Sequence, residues 1–188
     1  MNKVKYGLSN VHVFLRSEAE GGAVTYGSPS ALNGAVSLTI TRESSKNTFN
    51  ADNIPYFVSN TKSAMTSELE IADIPRAFAL AALGYKESKD GGILETNAPV
   101  TPAFALVFQI EGDEKARRIV LYNSTAIEAS EDYSTTSENI DPKTSKLSVT
   151  SIGEKVGDQL VYRKVLEKGD TGYDTAFTTL SMPEFKTA

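Results

Sequence analysis

The stretch that most constrains the fold runs over residues 102–126. It reads Pro-Ala-Phe-Ala-Leu-Val-Phe-Gln-Ile-Glu, turns through Gly112-Asp113-Glu114-Lys115, and returns as Ala-Arg-Arg-Ile-Val-Leu-Tyr-Asn-Ser-Thr-Ala. Side chains alternate across an extended chain, so Phe104, Leu106, Phe108 and Ile110 share one face while Ala105 and Val107 share the other with Gln109 and Glu111. The return strand puts Ile119, Leu121, Asn123 and Thr125 on one side and Val120, Tyr122 and Ser124 on the other. A strand apolar on both sides has to be covered on both, which places this hairpin at the middle of a β core with the other strands as neighbours.

The same period-two test finds those neighbours. Val11, Val13 and Leu15 alternate against His12 and Phe14 in a strand over residues 6–15, and residues 36–41 alternate without a fault. Met65, Leu69 and Ile71 stand opposite Thr66, Glu68 and Glu70, and Leu147, Val149 and Ser151 opposite Lys146, Ser148 and Thr150. Residues 159–166 add a further strand, while Gly21, Gly22, Gly27 and Pro29 mark residues 18–29 as turns. Asp73 is placed to cap a helix over residues 74–83, with Pro75 in its first turn and Gly84 at its end. So short a helix has to pack on the sheet through Ile74, Phe78 and Ala81. Residues 86–100 form a polar connector.

Periodicity fails in two places: residues 42–62, polar and charged around Ile54-Pro55-Tyr56-Phe57, and residues 128–144. A stretch of about twenty residues without periodicity inside a compact domain is a functional loop or a disordered one, and the aromatic knot favours function. The fold class that follows is mainly β, a sandwich or barrel of about seven strands over residues 1–168, flanked by one short helix and carrying long loops. Residues 169–188 read as a C-terminal arm, because large apolar side chains spaced along an irregular tail need a surface to cover, the chain's own or a neighbour's.

Chemistry is harder to find. With no cysteine, disulfides, thiolate metal sites and thiol catalysis are excluded, which fits a protein made in the cytosol. The first residues lack the apolar core of a signal peptide, and no run approaches the about 20 apolar residues of a bilayer span. His12 is the single histidine of the 188 residues, and no Gly-x-Ser-x-Gly elbow or phosphate loop surrounds the serines and glycines. The carboxylates are scattered, and Arg117-Arg118, pointing to opposite faces, reads as a solvated strand edge. A net charge of −5 argues against a grip on nucleic-acid phosphates. The expectation is a protein with no active site, no cofactor and no metal.

Several blocks remain. Lys5-Tyr6-Gly7-Leu8-Ser9-Asn10-Val11-His12, Ala51-Asp52-Asn53-Ile54-Pro55-Tyr56-Phe57, Leu69-Glu70-Ile71 with Ile74-Pro75 and Phe78, Leu83-Gly84-Tyr85-Lys86, Pro102-Ala103-Phe104-Ala105-Leu106, and Gly112-Asp113 followed by Arg117-Arg118 and Tyr122-Asn123 occur in this order. Together they resemble the major tail proteins of long, flexible, non-contractile siphovirus bacteriophage tails, over residues 3–126 and more weakly through Thr150. The C-terminal tail lies outside the resemblance, and Ser124 stands where family members often carry a cysteine.

The resemblance implies a tail tube subunit of the virion: a β sandwich flanked by a helix, forming homohexameric rings that stack into a hollow tube. It implies tape-measure protein in the lumen, tail terminator and distal tail proteins at the tube ends, and DNA in transit without specific binding. Synthesis in the host cytoplasm and no membrane contact go with it. On this reading Asp52, Asn53, Ile54, Tyr56 and Phe57 belong to a ring-stacking loop. Ser37, Thr39, Thr66, Glu68 and Glu70 face the lumen, and Tyr173, Phe177, Leu180 and Phe185 are arm contacts on a neighbouring copy. An acidic wall suits a channel through which DNA slides, since like charges repel. Two other readings stand beside it: a monomeric β-sandwich adhesion or carbohydrate-binding module with aromatics in a shallow groove, and a barrel with a lined cavity for a small ligand.

Overall fold

The strand Phe104–Ile110 is buried on both faces from Phe104 to Phe108, and the sheet is arranged around it. The computed structural model describes residues 6–51, 54–131, 133, 135 and 143–186, leaving aside the side chains of 43, 45–47, 49–51 and 55–62. In chain order the elements are β1 (Leu8–Glu18), β2 (Val24–Ala31), β3 (Ala35–Ala51), β4 (Ile54–Ile71), α1 (Arg76–Ala82), β5 (Lys86–Glu87) and β6 (Ile93–Leu94). They continue with β7 (Phe104–Ile110), β8 (Arg118–Glu131), β9 (Ser145–Ser151), β10 (Glu154–Val156), β11 (Gln159–Val161) and β12 (Arg163–Leu166). The main sheet is antiparallel in the order β2-β1-β7-β8-β9-β4-β3, with β12 added beside β8. The fold is mainly β, as the alternation predicts.

The two faces of β7 belong to two cores. Phe104, Leu106 and Phe108 join Val11, Val13, Met65, Leu69, Leu121 and Leu147 in the larger one, closed by Phe78, Ala79 and Ala82 of α1. Ala105 and Val107 join Phe14, Val120 and Tyr122 in the smaller one, closed by Leu166, Tyr173 and Ala176. Burial of each large side chain in such a core contributes about 1.5–3 kcal/mol.

The period-two reading of β8 holds only as far as Tyr122. Asn123 sits at φ 49°, its Nδ2 donating to the Gly153 carbonyl at 3.1 Å, and the alternation slips by one. Ser124 and Ala126 are therefore buried and Thr125 turns outward. The same bend changes the neighbour of β8: β12 pairs with Arg118–Leu121, and β9 pairs from Ser124 onward.

Other expectations are corrected. Residues 18–29 are not all turn, since β2 runs as an edge strand, where Gly27 and Pro29 are tolerated. Residues 159–166 divide into β11, which forms a hairpin with β10, and β12. The expected connector holds the small β5–β6 hairpin, and β8 runs on to Glu131 into the expected second loop. Val36 is 54% exposed because the register shifts between Ala35 and Ser37.

Helix α1 starts two residues later than predicted, and Asp73 does not cap it. Pro75 occupies the N-cap, with no side-chain cap bond, and its carbonyl accepts from Phe78 and Ala79 at 2.9 and 3.0 Å. Gly84 ends the helix as expected, at φ 74°, and a Cβ there would lie 2.6 Å from the Val100 carbonyl oxygen. Gly84→Ala meets both a left-handed backbone and a clash with main chain. It is expected to cost at least about 1 kcal/mol, read as a lower midpoint of chemical denaturation.

Candidate assembly surfaces

The hairpin β3–β4 dominates the surface. Its lower half lies in the sheet, where Ser37, Thr39 and Thr41 of β3 pair with Glu70, Glu68 and Thr66 of β4, and β4 pairs in turn with β9 from Met65 to Ile71. Beyond Arg42 and Met65 the two strands leave β9 behind and continue, paired with each other, from Ser44↔Lys62 to Ala51↔Ile54. At about 3.3 Å per residue this upper half reaches roughly 25 Å past the sandwich. Residues 42–62, expected as an irregular loop, are therefore a two-stranded arm. Strict alternation marks a strand with one wet and one dry face, and a ribbon that has left the sheet is not held to it.

The base of the arm is fixed. The register shifts between Arg42 and Ser44, a bulge that bends a ribbon. Arg42 Nη2 lies 3.0 Å from Met65 Sδ, and its guanidinium sits over the Tyr162 ring at 5.7 Å. Ile54, at the tip, is 61% exposed. Asp52, Asn53 and the side chains of Tyr56 and Phe57 lie outside the described residues, so of the five residues expected to carry stacking, the structure places Ile54 in full.

The five residues expected to face a lumen do fall on one face. Register carries that face across four strands: Thr39–Glu68–Ser148–Ile127, Ser37–Glu70–Lys146–Ser130, and Thr41–Thr66–Thr150–Thr125. Glu70 accepts from Ser37 Oγ at 3.0 Å and Thr144 Oγ1 at 2.7 Å, and these bonds, Thr144 first, hold its carboxyl below the usual range. Lys146 Nζ lies 3.0 Å from Glu68 Oε1. The face is less acidic than Glu68 and Glu70 alone suggest, because β9 brings a cation from far along the chain. Ile127, 62% exposed, is an apolar residue on this otherwise polar surface.

The C-terminal segment differs from the expected arm. Tyr173, Phe177 and Leu180 pack on the chain's own small core, while Phe185 is 56% exposed. Arg118 pins the segment: its guanidinium lies 3.9 Å from the Tyr173 ring centroid and 4.7 Å from that of Phe177, and its Nη1 donates to the Tyr173 carbonyl. Tyr173 Oη donates to the Ala116 carbonyl at 2.7 Å, and His12 lies against Phe177 with centroids 5.1 Å apart. Arg118 is thus a packing residue, and Arg117 pairs with Asp113 in the neighbouring turn.

A buried ion pair, invisible in the sequence, joins the β10–β11 hairpin to the other edge of the sheet. Glu154, 3% exposed, accepts from Arg16 Nε at 2.6 Å and Tyr26 Oη at 2.8 Å. Burial, with the bond to Glu154, pushes the Tyr26 phenol up, so it stays a donor. Glu154→Ala leaves Arg16 in a half-buried site with Glu18 as its remaining carboxylate among the described residues. The expected loss is about 3 kcal/mol, read by denaturation, and Glu154→Gln should recover part of it.

Among the described residues no group of His, Asp and Glu side chains is arranged to hold a metal ion, and no helix is long and apolar enough to cross a membrane. The chain matches no family model and no curated protein sequence.

Proposed function

We propose that this chain is the structural subunit of a bacteriophage tail tube, assembling with copies of itself into rings that stack around a channel for DNA. The observation that carries the reading is the β3–β4 arm. A two-stranded ribbon alone in water is marginally stable, so an arm of this length calls for a second surface, and a neighbouring copy in a stack supplies one. The order of the sequence blocks along residues 3–126 supports the same assignment, as does a broad polar sheet face on which hydroxyl donors hold the Glu70 carboxyl below the usual range.

In this assembly the grid around Thr39, Glu68 and Ser148 lines the lumen, where repeated copies present hydroxyls and paired charges to passing DNA. Repulsion between lining and backbone is screened over about 10 Å at 0.1 M salt, so it acts at the wall and leaves the centre of the channel free. Replacing Glu68 and Glu70 by lysine breaks an exposed pair worth at most about 1 kcal/mol, so tubes should form as before. DNA ejection by virions built from that variant should slow or stop. Normal infectivity with tubes of normal length would place these residues on the outer wall instead.

A further inference from the structure

The turn Leu32-Asn33-Gly34 joins β2 to β3, and main-chain bonds tie it down on both sides. Leu32 N donates to the Val11 carbonyl at 2.8 Å, and the Gly34 carbonyl accepts from Ala72 N at 2.8 Å. These bonds fasten the start of β3 to β1 and to the residue that follows β4. Between them the chain is bare. Asn33 and Gly34 are exposed, and Gly34 stands at φ 88°. Neither the Asn33 side chain nor the Gly34 N–H has a hydrogen-bond partner among the described residues. A cavity of about 160 Å³ opens beside them, lined by Ser9, His12 and Asn33 among others, which is room for water. Of the ten asparagines in the chain, Asn33 alone precedes a glycine. With no Cβ on that neighbour, nothing shields its nitrogen from the carboxamide carbon.

We propose that Asn33-Gly34 is a self-modification site of the folded protein, where Asn33 converts without an enzyme to aspartate and isoaspartate. Hydroxide takes the Gly34 N–H proton, and the nitrogen attacks Asn33 Cγ. The N–Cγ bond forms, the Cγ–Nδ2 bond breaks, and Nδ2 leaves as ammonia with a proton from water, which regenerates hydroxide. Water then opens the cyclic imide at Cγ, giving aspartate, or at the Asn33 main-chain carbonyl carbon, giving isoaspartate. Nothing is oxidised or reduced, and either product carries a new negative charge. Isoaspartate also adds a methylene to the main chain between the Leu32 and Gly34 bonds, so the two no longer fit one turn. Two rival sites are held back by their surroundings. Asn123 precedes the small Ser124, but its Nδ2 is bonded to the Gly153 carbonyl and Ser124 is buried. Asp90 precedes Gly91 and has the neighbour for the same ring closure, but its Oδ1 accepts from Ser88 Oγ and Gly92 N. Those bonds, Ser88 first, hold the Asp90 carboxyl below the usual range, and a carboxylate is a poor electrophile. The inference does not depend on the tube reading.

The test incubates the full chain at pH 7 and pH 8.5 and follows its tryptic peptide 17–42, in which Asn33 is the sole asparagine, by mass spectrometry. That peptide should gain the acid-for-amide mass difference at a rate proportional to hydroxide, and fragmentation should find both products at position 33. The peptide 90–115, which carries Asp90-Gly91, should show no isoaspartate at Asp90 over the same interval. Asn33→Gln, whose longer side chain closes a ring far more slowly, should keep its mass and its urea midpoint throughout. Fresh Asn33→Asp takes the charge without the methylene, so the native chain aged at pH 8.5 should denature at lower urea than this variant. A synthetic 17–42 peptide gives the rate of the unprotected chain. Conversion of that peptide with none in the folded protein, conversion confined to protein held in urea, or isoaspartate forming at Asp90 as fast as at Asn33 would each overturn the site. An aged chain as stable as Asn33→Asp would overturn the loosening of the turn.

Discussion

Truncation after Lys168 is expected to leave a chain that does not fold. The removed residues include Tyr173, Ala176, Phe177 and Leu180, and their loss uncovers Phe14, Val107, Val120 and Tyr122 on the outer face of the central strands. At about 1.5–3 kcal/mol for each large side chain returned to water, the sum reaches the about 5–15 kcal/mol that stabilises a whole domain. Arg118 would also lose both aromatic rings and the carbonyl it bonds. Circular dichroism and limited proteolysis read the outcome. A truncated chain that is folded and protease-resistant would mean that the segment belongs to a neighbour, as the sequence suggested. Removal from Glu184 onward, past the buried Pro183, should leave the fold intact.

Deleting residues 47–60 should have an equally large effect of a different kind. The arm pairs with itself beyond Ser44 and Lys62, and the described residues of the two cores lie outside it. A chain shortened in this way, with Asn-Gly inserted after Lys46 so that a three-residue turn closes on the Ser45↔Thr61 pair, keeps the in-sheet halves of β3 and β4 and should retain its thermal midpoint within a few degrees. Assembly beyond a single ring should be abolished. Interface anchors of the Tyr and Phe type commonly contribute about 2 kcal/mol or more each, and in the proposed assembly the contact would repeat around each ring. Sedimentation of native and shortened chains side by side reads the result; tubes of normal length from the shortened chain would remove the arm from the stacking interface.

The sequence was legible where one face of a strand meets the core. Residues 37–41, 64–71 and 145–151 announce themselves by alternation, and the double-sided burial of β7 follows from Ala105 and Val107 standing opposite Phe104 and Leu106. Residues 42–62 were illegible for the converse reason, since beyond Arg42 and Met65 the two strands leave β9 and pair with each other. Edge strand β2 was hidden behind Gly27 and Pro29, which an edge accepts and a centre does not. The slip at Asn123 depends on a left-handed residue held by the Gly153 carbonyl, thirty positions along the chain. The same limit applies to sites. Ser37, Thr39, Thr66, Glu68 and Glu70 share a face by local periodicity, but Lys146 enters through long-range pairing that periodicity does not encode. Arg118 looked solvated because the rings it lies against are more than fifty residues away in sequence.

Electron microscopy of the purified full-length chain over a range of concentrations tests the central claim most directly. A tube subunit should give rings, or hollow tubes of uniform width, in fields where a binding module of this size gives single small particles. Monomers at every concentration, with no ring in any class average, would contradict the proposal.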